Sequence, residues 1–210
     1  MEQKNKNLCT LYLVRHGETE SNKSCIINGH FDTPLTETGL EQAKATAHEL
    51  KNVSFGAIFS SDLPRTYRTA EIIKMERQLD IQTTKALRWR TYGHWEGKSR
   101  DEYRKHFQHI FDKIKTLSEK EQKEFKLAPD IESDEQVISR FILQLREIAV
   151  VHPRKTVLVV THGGCIRMFL MHIGYMKYGE LPGGSFSNAG YAKILFDGAN
   201  FFVKAVKGIK

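Results

Sequence analysis

The chain reads as an α/β fold: a three-layer sandwich with a mostly parallel central sheet, helices on both faces and an antiparallel hairpin at the C-terminal edge. Three observations predict it. Apolar runs such as Thr10-Leu11-Tyr12-Leu13-Val14 and Val157-Leu158-Val159-Val160 have the character of strands covered on both faces. Amphipathic stretches with helical spacing alternate with these runs. The last two apolar runs, 189–196 and 201–206, meet through Asp197-Gly198, a hairpin signal.

Taken in order, the first strand spans 10–14. Residues 18–36 are rich in Asn, Gly, Ser, Thr and Asp and lack periodicity, which predicts a long loop of the kind that usually serves function. A threonine at 36 or 38 caps a helix to about 51, with Leu40, Ala43, Ala47 and Leu50 on one face. A second strand, 57–59, ends in Ser60-Ser61-Asp62, and Pro64 opens a helix to about 78, where its missing donor costs nothing. A short strand is predicted at 81–87. A charged helical segment follows at 99–126, with Tyr103, Phe107, Ile110, Phe111 and Ile114 as its apolar stripe. Val137, Phe141, Leu145 and Ile148 mark a helix over 134–150, followed by the 156–160 strand and a helix from about 165 to 172. We expect one domain, 1–210, with 99–130 as a helical insertion covering the site.

Composition narrows the function. The chain has 210 residues, 40% hydrophobic and 27% charged, with a net charge of +7. The excess cations allow acidic partners, yet they interleave with acids, as in Lys113 and Lys115 followed by Glu119, Glu121 and Glu124. No nucleic-acid recognition signature accompanies them, so nucleic acid is not the expected partner. Cys9, Cys25 and Cys165 lack disulfide or zinc spacing. Residues 1–7 are polar, and no apolar stretch approaches a membrane span. A cytoplasmic protein without membrane attachment is the expectation.

Chemistry concentrates at two strand ends. The first strand runs into Arg15-His16-Gly17 and the later one into Thr161-His162-Gly163. In open α/β sheets, ligands gather at the carboxyl ends of strands. An unprotonated imidazole is a nucleophile near neutral pH, and a guanidinium matches phosphate oxygens. Two histidines and an arginine delivered this way make a site for holding and attacking a phosphoryl group.

At these residues the chain resembles the histidine phosphatase superfamily, the phosphoglycerate mutase-like branch. Arg15-His16-Gly17-Glu18-Thr19 with Asn22 resembles its signature. Gly29-His30-Phe31-Asp32-Thr33-Pro34-Leu35-Thr36, Ser60-Ser61-Asp62-Leu63-Pro64-Arg65, Gly93-His94-Trp95-Glu96-Gly97 and Thr161-His162-Gly163 are similar to its later blocks, in the family's order. The resemblance implies that His16 attacks phosphorus and carries a transient phosphohistidine. Arg15, Arg65 and His162 would surround the equatorial oxygens, with His162 held cationic. Asn22 and the backbones of Gly17 and Gly163 would add hydrogen bonds, and Thr36 would reach the substrate. The implied reaction uses no cofactor and no metal, because three cations neutralise the phosphoryl charge. A phosphorylated small molecule or a phosphoprotein is the implied partner.

One departure matters. The family usually carries a glutamate, four residues before the first glycine of Gly-x-Trp-Glu-Gly, that protonates the leaving oxygen. In Leu87-Arg88-Trp89-Arg90-Thr91-Tyr92-Gly93 that position falls on Trp89. General acid assistance is typically worth about 10²- to 10⁴-fold. Either a surrogate carboxylate serves (Glu18, Asp62, Glu96 or one from 99–130), or the substrate has a good leaving group, such as an aryl or acyl phosphate or a phosphohistidine. Otherwise the chain is a phosphate- or phosphoprotein-binding relative with little turnover. The extended segment of the glycolytic mutases near 95–100 is absent, so a phosphatase fits better than a mutase. Tyr92, Trp95, Arg100 and Tyr103 are candidates for the mouth of the site.

Overall fold

The strands β1 (Cys9–Arg15), β2 (Phe55–Ser61), β3 (Ile81–Thr84), β4 (Thr156–Thr161), β5 (Phe186–Phe196) and β6 (Phe201–Ile209) form one sheet in the order β3-β2-β4-β1-β5-β6. In this computed structural model, which describes residues 8–210, the first four strands of that order are parallel. β5 runs antiparallel to β1, and β6 antiparallel to β5. The polar stretch 1–7 lies outside the described residues.

The period-two alternation of the strands builds the layers. Leu11, Leu13, Val157 and Val159 pack with Phe141 and Leu145 of α6 (Asp134–Val151) and with Phe169 of α7 (Gly163–His172). Tyr12, Val14, Leu158 and Val160 face the other way, onto Ala47 of α2 (Glu37–Glu49) and Ala70 and Ile73 of α3 (Pro64–Lys74). Each such aliphatic side chain contributes about 1.5–3 kcal/mol on full burial. A third cluster (Ile27, Trp95, Tyr103, Phe107 and Ile131) lies under α4 (Arg100–Ile114). No helix among the described residues is long and apolar enough to cross a membrane.

Several boundaries differ from expectation for local reasons. The loop after β1 contains a short helix, α1 (Glu20–Lys23), closed by a Thr19/Asn22 capping box, and Thr19 bridges to Leu35. α3 stops at Lys74 because Met75 turns left-handed (φ 53°), and Arg77 collects the carbonyls of Leu50, Lys51 and Val53. β3 ends at Thr84, whose hydroxyl accepts from Ala86 N and starts a 3₁₀ turn, Lys85–Leu87. The charged segment expected over 99–126 is two helices, α4 and α5 (Glu119–Glu124), because Ser118 caps a new start. α7 begins at Gly163, directly after His162.

Register positions the site. β1 and β4 lie side by side with Arg15 opposite Thr161, and His16 N donates to Thr161 O at 3.0 Å. His16 and His162 therefore leave adjacent parallel strands at the same level, 146 positions apart in the sequence.

Candidate active site

His16 is 4% exposed, and its Nδ1 lies 2.7 Å from the carbonyl of Gly17. A carbonyl only accepts, so Nδ1 carries the proton and Nε2 keeps its lone pair. Burial, then Arg65 and Arg15, push its proton affinity well below that of a free imidazole. The ring is a neutral base held in one tautomer. The His16 carbonyl is pinned by Ala189 N (3.2 Å) and Asn188 Nδ2 (3.3 Å), from a bulged stretch of β5.

His162 is 3% exposed, and its ring lies edge-to-face with His16 at 5.2 Å between centroids. Arg65 Nη2 lies 3.4 Å from its Nδ1, and its Nε2 lies 3.1 Å from Ser61 Oγ. Since a guanidinium only donates, Nδ1 is the acceptor and Nε2 donates to the serine. Burial, then Arg65, His16 and Arg15, push His162 well below the usual imidazole range. The cation implied by the family resemblance is thus not the form this geometry favours by itself; an incoming dianion supplies the counter-charge that would stabilise it.

Arg65, 2% exposed, enters from the first turn of α3, where Pro64 occupies the first helical position. Its Nη1 donates to Asp32 Oδ1 (2.7 Å) and Phe31 O (2.9 Å), and its Nη2 to Gly29 O (2.7 Å). The loop after β1 thus clamps it. Burial lowers its proton affinity while Asp32 restores part of it. Arg15 donates from Nη1 to Phe186 O, and burial, then Arg100 and Arg65, lower its pKa to about 10. The Nε atoms of both arginines are buried with no partner among the described residues. Unsatisfied buried donors are costly, and here they belong to the residue type best suited to oxyanions.

These four side chains line one cavity of about 550 Å³ with Asn22, Gly163, Trp89 and Arg100. Asn22 Oδ1 accepts from Thr19 N and Asn188 Nδ2, which leaves its Nδ2 without a partner among the described residues. α7 starts at Gly163 with no side-chain cap, so its first N–H groups suit an anion. A Cβ on Gly163 would lie 2.8 Å from Arg15 Cδ, and one on Gly164 would lie 2.5 Å from the Trp89 ring. Both glycines let those side chains lie against the helix start.

Other expected participants sit elsewhere. Gly17 N donates to Thr69 Oγ1 (3.1 Å), and a Cβ there would lie 2.4 Å from Gly39 O; the glycine allows close passage of α2 and does not line the cavity. Thr36 caps α2, accepting from Gly39 N and donating to Glu18 Oε1 (2.8 Å), and it too stands outside the lining. Asp62 binds Arg88 through two 2.6 Å contacts, which hold its carboxyl below the usual range. Glu96 accepts from His30 N, Phe31 N, Thr91 Oγ1 and Tyr92 N, stapling two loops together. Among the described residues no Asp or Glu lines the cavity, Glu18, Asp62 and Glu96 included. Tyr92, Arg100 and Tyr103 do line it, whereas Trp95 is buried in the cluster under α4. Cys165 is buried, its thiol pushed up to about 11 by desolvation, as suits a small core residue. Asn188, Phe186 and Gly183-Gly184 were not singled out from the sequence; the glycines just before β5 were the available signal.

Known proteins are similar to this chain in sequence and fold. The family model of the histidine phosphatase superfamily (branch 1) matches residues 11–207. An uncharacterized phosphatase, PhoE, of Bacillus subtilis is 34% identical over 161 residues, 77% of this chain and 75% of its own length. A broad-specificity phosphatase of Saccharomyces cerevisiae is 32% identical over 180 residues, covering 82% of this chain and 73% of the yeast protein. The solved structure of Bacillus stearothermophilus YhfR is similar with a TM-score of 0.83 at 32% identity, over 96% of this chain and 98% of that one. The chain belongs to the histidine phosphatase superfamily, branch 1.

Proposed function

We propose that the protein hydrolyses phosphomonoesters through a phosphohistidine on His16, without a metal ion. The observation that carries this reading is the neutral His16 ring, fixed by Gly17 O, in a cavity that has, among the described residues, two partnerless guanidinium Nε donors and no carboxylate. In the first step the Nε2 lone pair forms a P–N bond while the P–O bond to the leaving group breaks, its electron pair departing on oxygen. Arg15, Arg65 and His162, protonated as the dianion arrives, counter the charge on the transferring group. Asn22 Nδ2 and the Gly163 amide add hydrogen bonds. Water then attacks phosphorus, the P–N bond breaks, both protons stay with the released dihydrogen phosphate, and His16 regains its lone pair.

Trp89 takes the position of the family's proton-donating glutamate, and its indole N–H donates to Tyr92 OH (3.3 Å). With no carboxylic acid at hand, the favoured substrates are those whose leaving group departs as an anion, such as aryl or acyl phosphates. A cavity of about 550 Å³ suits a small molecule better than a folded phosphoprotein. Relatives named as phosphatases favour hydrolysis over phosphoryl return to an acceptor.

The test compares para-nitrophenyl phosphate with an alkyl phosphate, with and without EDTA, for the unaltered protein and His16→Ala. We expect EDTA-resistant aryl phosphatase activity, much slower alkyl hydrolysis, and loss of both in the variant. Full activity of His16→Ala removes His16 from the reaction. The missing carboxylate also favours a second reading, a phosphate binder without turnover; it predicts phosphate binding with hydrolysis at background.

A further inference from the structure

With no Asp or Glu among the described residues of its lining, the cavity must draw any proton for a leaving group from another side chain. The guanidiniums of Arg15, Arg65, Arg100, Arg104 and Arg167 hold their protons at neutral pH, and the amides of Asn22, Asn28 and Gln108 do not ionise there. Lys115 stands roughly 22 Å along α4 from Arg100, and it pairs with Asp112 (2.9 Å). His16 spends its one N–H on Gly17 O, and the ring nitrogens of His162 face Ser61 and Arg65. Two phenols remain in the described lining, Tyr92 and Tyr103. Burial pushes the Tyr103 hydroxyl well above the usual phenol range, which makes it a poor donor.

Tyr92 is placed differently. A Cβ on Gly164 would come within 2.5–2.6 Å of Cδ2, Cε2 and Cε3 of Trp89, so the indole lies across the second residue of α7. From there its N–H reaches Tyr92 OH at 3.3 Å. The phenol oxygen thus stands one indole away from the helix start whose Gly163 amide the proposed reaction sets against the phosphoryl group. The bond also fixes the roles on that oxygen. An indole only donates, so Tyr92 OH accepts, and its own proton has no acceptor among the described residues. Trp89, with its single N–H spent on this bond, has no acidic proton to give. The phenol is held in place as well. Tyr92 N donates to Glu96 Oε1 (3.0 Å), Tyr92 O accepts from Trp95 N (3.1 Å), and the ring packs edge-on against Tyr103 at 5.6 Å between centroids. Arg167 of α7 lies close enough to interact with charge on Tyr92, so a phenolate formed there would have a counter-cation.

We infer that Tyr92 is the proton donor to the leaving oxygen, a phenol working in a cavity without a carboxylic acid. The inference rests on the proposed phosphatase reaction and adds a catalytic residue to it. As His16 Nε2 forms the P–N bond and the P–O bond breaks, the Tyr92 proton passes to the departing oxygen. The alcohol leaves neutral, and Tyr92 is left as phenolate. In the second step water attacks phosphorus and gives one proton to the phenolate. The P–N bond breaks, hydrogen phosphate departs, and His16 and Tyr92 regain their starting forms. A stable aryl anion leaves without this help, whereas an alkoxide does not. Because a phenol is a weaker acid than a carboxylic acid, alkyl esters remain the slower substrates.

A series of phosphate monoesters tests it, with leaving groups running from para-nitrophenol through phenol to simple alkanols. The measurement is kcat/KM for the parent and for Tyr92→Phe, which keeps the ring against Tyr103 and removes only the hydroxyl. We expect para-nitrophenyl phosphate turnover to stay within about twofold of the parent and alkyl turnover to fall about 10²-fold, the lower end of general acid assistance. Trp89→Phe, which removes the N–H bonded to the phenol but not the phenol, should lose less alkyl turnover than Tyr92→Phe. Equal fractional losses on aryl and alkyl esters in Tyr92→Phe overturn the inference, since a ring that only supports the fold would slow both. An alkyl rate that Tyr92→Phe leaves intact overturns it too, as does a parent that turns over aryl esters with alkyl esters at background. In those cases aryl turnover that disappears in His16→Ala leaves the phosphatase reading standing. No turnover of any ester by the parent sinks that reading and the proton donation with it.

Discussion

The two walls of the cavity are built by opposite means. On the inner wall, Arg65 is tied to two carbonyls and a carboxylate, and the His16 carbonyl and ring are both held. These groups arrive on β1, β4 and the start of α3, and sheet register sets their spacing. On the outer wall, formed by α4, Arg104 is exposed, Arg100 is half-buried, and neither side chain is tied among the described residues. Their alignment follows from helical periodicity, and α4 is moored through its apolar stripe, the Arg100 N to Cys25 O bond (3.0 Å) and the Ser99–Ile26 bridge. Phosphoryl transfer needs atoms fixed to a fraction of an ångström, whereas a wall away from the reacting atoms tolerates longer, adaptable side chains. The contrast suggests that reaction depends on the inner wall far more than on the outer.

The largest effect should come from breaking the inner wall. Arg65→Ala leaves Asp32 and the Gly29 and Phe31 carbonyls without their donor. Losing one partner of a buried ion pair typically costs about 3–5 kcal/mol; Asp32 is about one-fifth exposed, so the lower end applies. Denaturant unfolding should show that loss, together with loss of turnover. A variant as stable as the parent would mean that the clamp does not hold the loop after β1.

Trp89→Glu sharpens the comparison from within the reaction. A carboxylic acid in that place should raise alkyl-phosphate turnover by up to about 10²- to 10⁴-fold and aryl turnover far less. The alkyl-to-aryl ratio is the measurement. An unchanged ratio would show that proton donation to the leaving oxygen does not limit the alkyl reaction.

A third prediction concerns pH. His16 and His162 are both held well below the usual imidazole range, so the unfolded chain binds more protons than the folded one as pH drops beneath about 6.5. Stability is therefore complete above that value and declines as pH falls toward the folded-state values. Each histidine adds at most about 1.4 kcal/mol per pH unit to the slope. Saturating inorganic phosphate, which favours the charged rings, should flatten the decline. A urea midpoint that is level from pH 7 to pH 5 without phosphate would contradict the assignment of two neutral, buried imidazoles.

The inner wall was the more legible in the sequence, for a physical reason. A buried strand that ends in Arg-His-Gly or Thr-His-Gly announces a strand-end site from a few adjacent residues. Pairings across distant segments leave no such local trace: Asp32 with Arg65, Asp62 with Arg88, and Glu96 with the backbone of residues 30–31 all depend on how the loops fold over the sheet. That is why the sequence alone leaves Asp62 and Glu96, with Glu18, as candidates for proton donation, whereas the structure gives each of them a partner. The bulge before Tyr191 that brings Asn188 to His16 was hidden similarly, because Ala189, a residue without turn preference, takes the left-handed conformation (φ 54°). The apolar stripe of α4 was readable as an amphipathic face, but that Arg104 and Gln108 line the cavity shows only in the fold.

The smallest effect tests whether the outer wall is separable. Ser99 caps α4, its Oγ accepting from Asp101 N (3.2 Å) and Glu102 N (3.5 Å), and it does not line the cavity. Ser99→Ala should cost about 1 kcal/mol, typical of a lost N-cap, expressed as fraying of the first turn. Arg100 and Arg104 lie in or next to that turn, while His16, Arg65 and His162 are held by other elements. Amide exchange should therefore quicken at 100–104 while β1 and β4 remain protected, and aryl-phosphate turnover should change little. Quickened exchange in β1 and β4, or a marked fall in turnover, would mean that α4 and the strand ends act as one rigid unit, and that the two walls are not separable.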